Sequence, residues 1–109
     1  MSQTVIQYEI YLPLQYNDGT WIEEEKYNDV HQRLFDRFGG VTHIMRDFPL
    51  RGSWRDHGEV YHDYVIVYTV IDFDGAANNS QFFGELKEEL KGLFRQKEIL
   101  ITGVEITIF

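Results

Sequence analysis

The sequence predicts a single α+β domain in which two helices cover one face of an antiparallel sheet. Its 109 residues match the usual size of one domain, so residues 1–109 are expected to form one folding unit. Apolar residues alternate in several segments, as in strands, and recur at spacings of three and four in two others, as in helices. A hydrophobic fraction of 43% and a charged fraction of 26% are those of an ordinary globular domain, which disfavours disorder.

The N-terminal third is predicted to contain a strand followed by a helix. Residues 4–14 alternate between an apolar and a more polar phase, which predicts the first strand. A loop rich in Asn, Asp and Gly follows. From Trp21 to Phe38 the apolar spacing is helical, glutamates occupy the first turn, where the helix dipole favours anions, and Gly39 ends the helix.

The middle of the chain is predicted to form β structure. A short second strand is expected at residues 41–45. Residues 53–55 are expected to form a further short strand that runs into a turn at 56–58. The long stretch 59–73 is apolar in both of its phases, which is typical of a central strand covered on both faces.

A second helix and a last strand complete the pattern. Asn79 or Ser80 is expected to cap the helix. The last strand is predicted over residues 98–109, with Gly103 as a candidate bulge. The resulting order is that of a ferredoxin-like βαββαβ two-layer sandwich, with a four-stranded antiparallel sheet and both helices on one face.

One face of such a sheet carries no helices. In the first strand, the side chains in the same phase as Ile6 and Leu12 are expected to face the helices. In the last strand, Val104, Ile106 and Ile108 are expected to point the same way. The long strand is ambiguous, but tyrosine hydroxyls favour water or a partner, so we expect its valines to face inward and its tyrosines outward. The candidate interface residues are then Val5, Gln7, Glu9, Tyr11, Tyr64, Ile66, Tyr68 and Glu105.

This uncovered face leads to a first function hypothesis, a protein–protein interface. Large exposed apolar patches usually mark an interface or a binding groove. The simplest partner is a second copy of the chain in a homodimer, and the alternative is that a loop or the N-terminus folds over the face. Glu9 and Glu105 could also face each other as paired carboxylates for acid–base chemistry, or both lie at the wet edge of the interface.

The hairpin at residues 46–62 leads to a second hypothesis, a small-ligand site or enzyme pocket. Three arginines, at positions 46, 51 and 55, stand close together in an otherwise acidic chain. Guanidinium groups bind carboxylate or phosphate and tryptophan stacks on planar ligands, so the expected ligand is anionic or aromatic. Alternatively, the arginines pair with acidic neighbours across the hairpin. The candidate ligand residues are Arg51, Trp54, Arg55, His62 and Tyr64.

The composition argues against several classes of function. A net charge of −8 is a poor basis for binding nucleic acid or an anionic membrane surface. The absence of cysteine excludes thiol catalysis and disulfides. His57, Glu59 and His62 match no metal-binding pattern, so no metal or cofactor is expected. With neither a signal peptide nor a membrane-spanning apolar run, a cytoplasmic location is expected.

Two short motifs in the middle third carry a resemblance to a known family. Residues 38–42 read Phe-Gly-Gly-Val-Thr, and residues 51–55 read Arg-Gly-Ser-Trp-Arg before the long strand. The pattern resembles a bacterial family of small uncharacterised proteins with a Gly-x-Trp motif. The resemblance implies a ferredoxin-like fold and supplies no catalytic residues. It makes Gly52 and Trp54 the first positions to test.

Overall fold

The computed structural model describes residues 2–43 and 50–109, except the side chains at 50–52, 54, 56 and 61–63. The succession of strands and helices agrees with the predicted order, while residues 44–45 of the expected second strand lie outside the described residues. The elements are β1 (Gln3–Pro13), α1 (Glu24–Phe38), β2 (Thr42–His43), β3 (Leu50–Asp56), β4 (Glu59–Asp72), α2 (Asn79–Leu93) and β5 (Ile101–Ile108).

The antiparallel sheet has the strand order β2-β4-β1-β5, and β3 also pairs with β4. Val65 of β4 pairs with Pro13 on one side and with Leu50 of β3 on the other. Because β2 likewise pairs with β4 on the side away from β1, β2 and β3 lie along the same edge of β4. The sheet is therefore four strands wide, which confirms the ferredoxin-like prediction.

The hydrophobic core lies between the helices and one face of this sheet. Ile10, Leu12 and Ile66 from the two central strands are fully buried against Leu34 of α1 and Leu86 of α2. Each such side chain stabilises the fold by about 1.5–3 kcal/mol through removal of its apolar surface from water. This packing fixes which sheet face the helices cover.

The helix ends depart slightly from the predicted positions. α1 begins at Glu24, and its end follows the prediction, since Gly39 adopts φ 75° and its N–H donates to the Phe35 carbonyl. Asn78, one residue before the predicted position, precedes α2. The side-chain amide of Asn79 donates a hydrogen bond to Asp72 and does not cap the helix. Within the described residues, neither helix has the length and apolarity that a membrane span requires.

The phase of β4 is the reverse of the one predicted. Ile66, Tyr68 and Val70 are buried and face the helices, directly opposite Leu12, Ile10 and Tyr8 of β1 in that order. The hydroxyl of Tyr68 donates to the Tyr27 carbonyl at 3.4 Å, so its polar end is satisfied inside the core. The valines of β4 consequently lie on the uncovered face.

The phase of β5 is also the reverse of the prediction. Val104 lies opposite Gln7 and Ile106 lies opposite Val5, which places these aliphatic residues on the uncovered face. Gly103 lies opposite Tyr8, and pairing is continuous there, so the expected bulge is absent from β5. A Cβ at Gly103 would lie 3.0 Å from Tyr8 Cε1, and this glycine therefore gives the tyrosine ring room against the strand.

Candidate functional site

We define the open face as the sheet surface opposite the helices, where β1 is flanked by β4 and β5. Residues paired across neighbouring strands point to the same face, so the register alone assigns its members. They are Gln3, Val5, Gln7, Glu9, Tyr11 and Pro13 from β1, Val65, Val67, Thr69 and Ile71 from β4, and Thr102, Val104, Ile106 and Ile108 from β5.

Aliphatic residues of β4 and β5 make up a large part of the open face. Val104 is 55% exposed, and the other aliphatic residues of these two strands on this face are half-buried. Val5, opposite Ile106, is buried among its neighbours on the same face. Accessible aliphatic side chains of β4 and β5 thus flank the polar residues Gln7 and Glu9 of β1, and together they form a largely apolar surface of the kind that marks interaction sites.

A single carboxylate stands near the middle of the open face. Glu9 lies between Thr69 of β4 and Thr102 of β5. It accepts a hydrogen bond from the Tyr11 hydroxyl at 2.7 Å and one from the Gln7 amide at 3.3 Å. The hydrogen bond to Glu9, together with burial, raises the pKa of Tyr11. These bonds tie the carboxylate of Glu9 to its neighbours on β1.

The predicted interface residues fall into two groups. The structure places Val5, Gln7, Glu9 and Tyr11 on the open face as expected, and their role in an interface stays a prediction. The placement of the other four on this face is wrong, for reasons of strand phase. They are Ile66 and Tyr68 in the core, Tyr64 in the same phase as these two, and Glu105 opposite Ile6 on the helix side.

The separation of Glu9 from Glu105 removes the proposed carboxylate pair. Glu9 is opposite Thr102, whereas Glu105 lies three residues further along β5 and in the other phase.

The open-face members that sequence reasoning missed are chiefly Val104, Ile106, Val65 and Val67. Their alternation was visible, but assigning it to a face requires the register between strands.

The predicted ligand site lies on the β3–β4 hairpin. Arg55 is exposed and Tyr64 is 48% exposed, while the side chains of Arg51, Trp54 and His62 lie outside the described residues. The backbone register places Arg51 opposite Tyr64 and His62 opposite Ser53. The hairpin extends beyond the body of the sheet, because β1 reaches β4 only from Val65 onward. A ligand role for these residues stays a prediction.

A separate cleft of about 770 Å³ lies at the start of α2. It is bordered by the first half of β1, the end of β4 and the loop that leads into α2. Among the described residues its lining contains the carboxylates of Asp72 and Asp74 and no lysine or arginine. This lining favours a neutral or positively charged ligand rather than an anion.

Asp72 organises the wall of this cleft. Its buried carboxylate accepts hydrogen bonds from the Ala76 backbone N–H and the Asn79 amide, both at 2.8 Å. Burial alone would raise the pKa of Asp72, but these hydrogen bonds outweigh it and lower the pKa below its usual value. Asn79 also accepts a hydrogen bond from Arg37 at 2.9 Å and donates to the Tyr8 hydroxyl at 3.2 Å. The network ties the loop to both helices and to β1.

Comparisons with known proteins support the fold. The chain matches no protein-family model and no curated protein sequence. A phage SAM lyase in complex with S-methyl-5'-thioadenosine is similar in structure, with a TM-score of 0.64 at 17% identity over 95% of this chain and 88% of that one. The same enzyme type in its apo state gives a TM-score of 0.66 at 18% identity over 96% and 89% of the two chains.

A third similar structure is that of a different kind of protein. The divalent cation tolerance protein Cut A1 from Thermus thermophilus gives a TM-score of 0.57 at 21% identity, over 97% of this chain and 84% of that one. At such low identities the likeness concerns the fold alone. The chain therefore shares the ferredoxin-like fold of these proteins.

Proposed function

We propose that this protein is a self-associating module in which a second copy of the chain packs on the open face. The observation that carries the proposal is the set of accessible aliphatic side chains on β4 and β5, which lie on either side of β1 on the open face. In a two-fold dimer the same patch serves both subunits, so a surface must be self-complementary. An aliphatic surface meets this condition without requiring matched charges.

The charge distribution favours a second copy over a charged partner. The net charge of −8 disfavours the approach of two chains through most of their surfaces. The acidic side chains of the helices, such as Glu24, Glu85 and Glu88, are exposed on the other layer of the molecule. On the open face, Glu9 is the single carboxylate among the described residues, and it is hydrogen-bonded. Two copies can therefore associate here while their acidic surfaces stay apart.

Two valines of nearly equal exposure allow a matched test. Val104 on the open face is 55% exposed, and Val60 on the hairpin is 53% exposed. We expect light scattering after size exclusion to show a dimer for the wild type and for Val60→Glu, and a monomer for Val104→Glu. Circular dichroism checks that both variants are folded. A wild type that stays monomeric at high micromolar concentration, or a Val104→Glu dimer, contradicts the proposal.

We propose a second function for the cleft at the start of α2, the binding of S-adenosylmethionine or a thioether nucleoside derived from it. Its acidic, amide-rich lining suits a sulfonium cation or a neutral nucleoside. The likeness to the phage lyase that holds S-methyl-5'-thioadenosine makes this ligand class the first to test.

Calorimetry with S-methyl-5'-thioadenosine and S-adenosylmethionine tests the cleft. Ser80→Tyr places a bulky side chain at an exposed position that lines the cleft. The control variant Asn28→Tyr places the same side chain at an exposed position of α1, outside the cleft. We expect the wild type and Asn28→Tyr to bind and Ser80→Tyr not to bind. Loss of binding in Arg55→Ala or Trp54→Ala instead would move the site to the hairpin, as the sequence predicts. No binding by the wild type contradicts both sites for this ligand class.

A further inference from the structure

Two histidines from distant parts of the chain meet at the seam between α1 and β2. His31 lies in the apolar stripe of α1 that faces the sheet, and His43 lies opposite Tyr68 of β4. The two imidazole ring centres are 5.4 Å apart, and the ring planes are inclined by 82°. The His43 ring also stacks on Tyr68, with centres 4.7 Å apart and planes inclined by 25°. The seam therefore holds the two imidazole rings close together in an edge-to-face arrangement.

This separation suits two imidazoles that share one metal ion. Zinc–nitrogen bonds are about 2.1 Å long, so two histidines on one tetrahedral ion have ring centres about 5 Å apart. The observed separation of the ring centres, 5.4 Å, is close to this value. Stacking on the buried ring of Tyr68 restricts the orientation of His43, which lowers the entropy lost when a metal binds.

The seam is also accessible to a metal ion. His43 is exposed and His31 is half-buried, so a hydrated ion reaches both rings from solvent.

We propose that His31 and His43 form a two-imidazole site for a divalent transition-metal ion such as Zn²⁺ or Ni²⁺. Imidazole suits these ions, whereas Mg²⁺ and Ca²⁺ favour oxygen ligands. Among the described residues there is no group of three or more potential ligands, so the proposed site is built on these two imidazoles. The site is independent of the open face and of the cleft.

Titration of the tag-free protein with Zn²⁺ and with Ni²⁺ in a calorimeter tests the site. We expect one ion per chain with micromolar affinity, and a loss of about tenfold or more in both His31→Gln and His43→Gln. The matched control is His57→Asn, at a turn position with φ 51° that asparagine adopts readily. NMR of the histidine rings gives a second readout, in which the signals of His31 and His43 shift together on metal addition.

Two results would overturn the proposal. One is a wild type that binds neither ion in the micromolar range. The other is binding that survives both His31→Gln and His43→Gln, or that is lost only in His57→Asn. The NMR spectra without metal show whether each variant is folded, so a loss of binding is not confused with a loss of structure.

Discussion

The two faces of the sheet show how the same alternating pattern produces a core on one side and an uncovered surface on the other. On the helix face, Ile10, Leu12 and Ile66 are fully buried beneath α1 and α2. On the open face, residues of the same types, such as Val104 and Ile106, remain accessible. Two amphipathic helices supply enough apolar surface for one face only. The aliphatic residues on the other face are therefore available for contact with a second molecule.

The strongest test of this comparison uses neighbouring residues of β4 that point to opposite faces. Ile66→Ala removes a fully buried side chain and is expected to destabilise the fold by about 2–5 kcal/mol. Val67→Ala, on the open face, is expected to lower the free energy of unfolding by clearly less, at a concentration where the protein is monomeric. Urea unfolding of dilute protein measures both. Equal losses would show that the open face is covered within one chain.

Substitution of Gly103 tests the contact between β5 and the Tyr8 ring on the helix face, and Gly84 in α2 provides a comparison. Gly103→Ala places a Cβ 3.0 Å from Tyr8 Cε1 and is expected to destabilise the protein by about 1–3 kcal/mol. Gly84→Ala, in α2, meets no atom within 4 Å and is expected to stabilise by about 0.5–1 kcal/mol through higher helix propensity. Thermal unfolding measures the two effects. A neutral Gly103→Ala variant would mean that the Tyr8 ring shifts away from β5 without loss of stability.

The smallest expected effect concerns the hydrogen bond from Tyr16 to Glu23, just before α1. A hydrogen bond from Tyr16 is the main reason that the pKa of Glu23 falls to about 2, and Lys26 also contributes. Because the folded pKa is depressed below the usual 4.5, this stabilisation is present above that value and is lost as pH falls toward 2. NMR titration of the Glu23 carboxyl in Tyr16→Phe is expected to show a higher pKa. An unchanged pKa would contradict the assigned cause.

Much of the fold could be predicted from the sequence because each element has its own local signal. The periodicity before Phe38 predicts α1, and the residues around Gly58 predict the hairpin turn that the structure contains. The phase of β4 could not be predicted, because Ile66 and Val67 are both apolar and only the packing of the helices distinguishes their faces. The rule that tyrosine favours solvent failed for Tyr68, whose hydroxyl finds a carbonyl in the core.

The candidate sites were less accessible to sequence reasoning because they depend on contacts between distant segments. The open face requires the register of β5 on β1, which sets Val104 beside Gln7. The cleft requires the loop after β4 to return to β1, which Asp72 brings about through its hydrogen bonds. The meeting of His31 and His43 depends on how α1 packs on the sheet. The alternation within β1 predicts its own residues on the open face, but no local spacing in the sequence indicates the cleft or the pair of histidines.

The central claim is that a second copy of the chain covers the open face, and methyl NMR with a soluble paramagnetic probe tests it directly. At high protein concentration, we expect the Val104 and Ile106 methyl signals to be protected from the probe, and dilution to remove that protection. The Val60 methyls on the hairpin, with an exposure of 53%, should remain accessible throughout. Equal broadening of Val104 and Val60 at every concentration would contradict the claim.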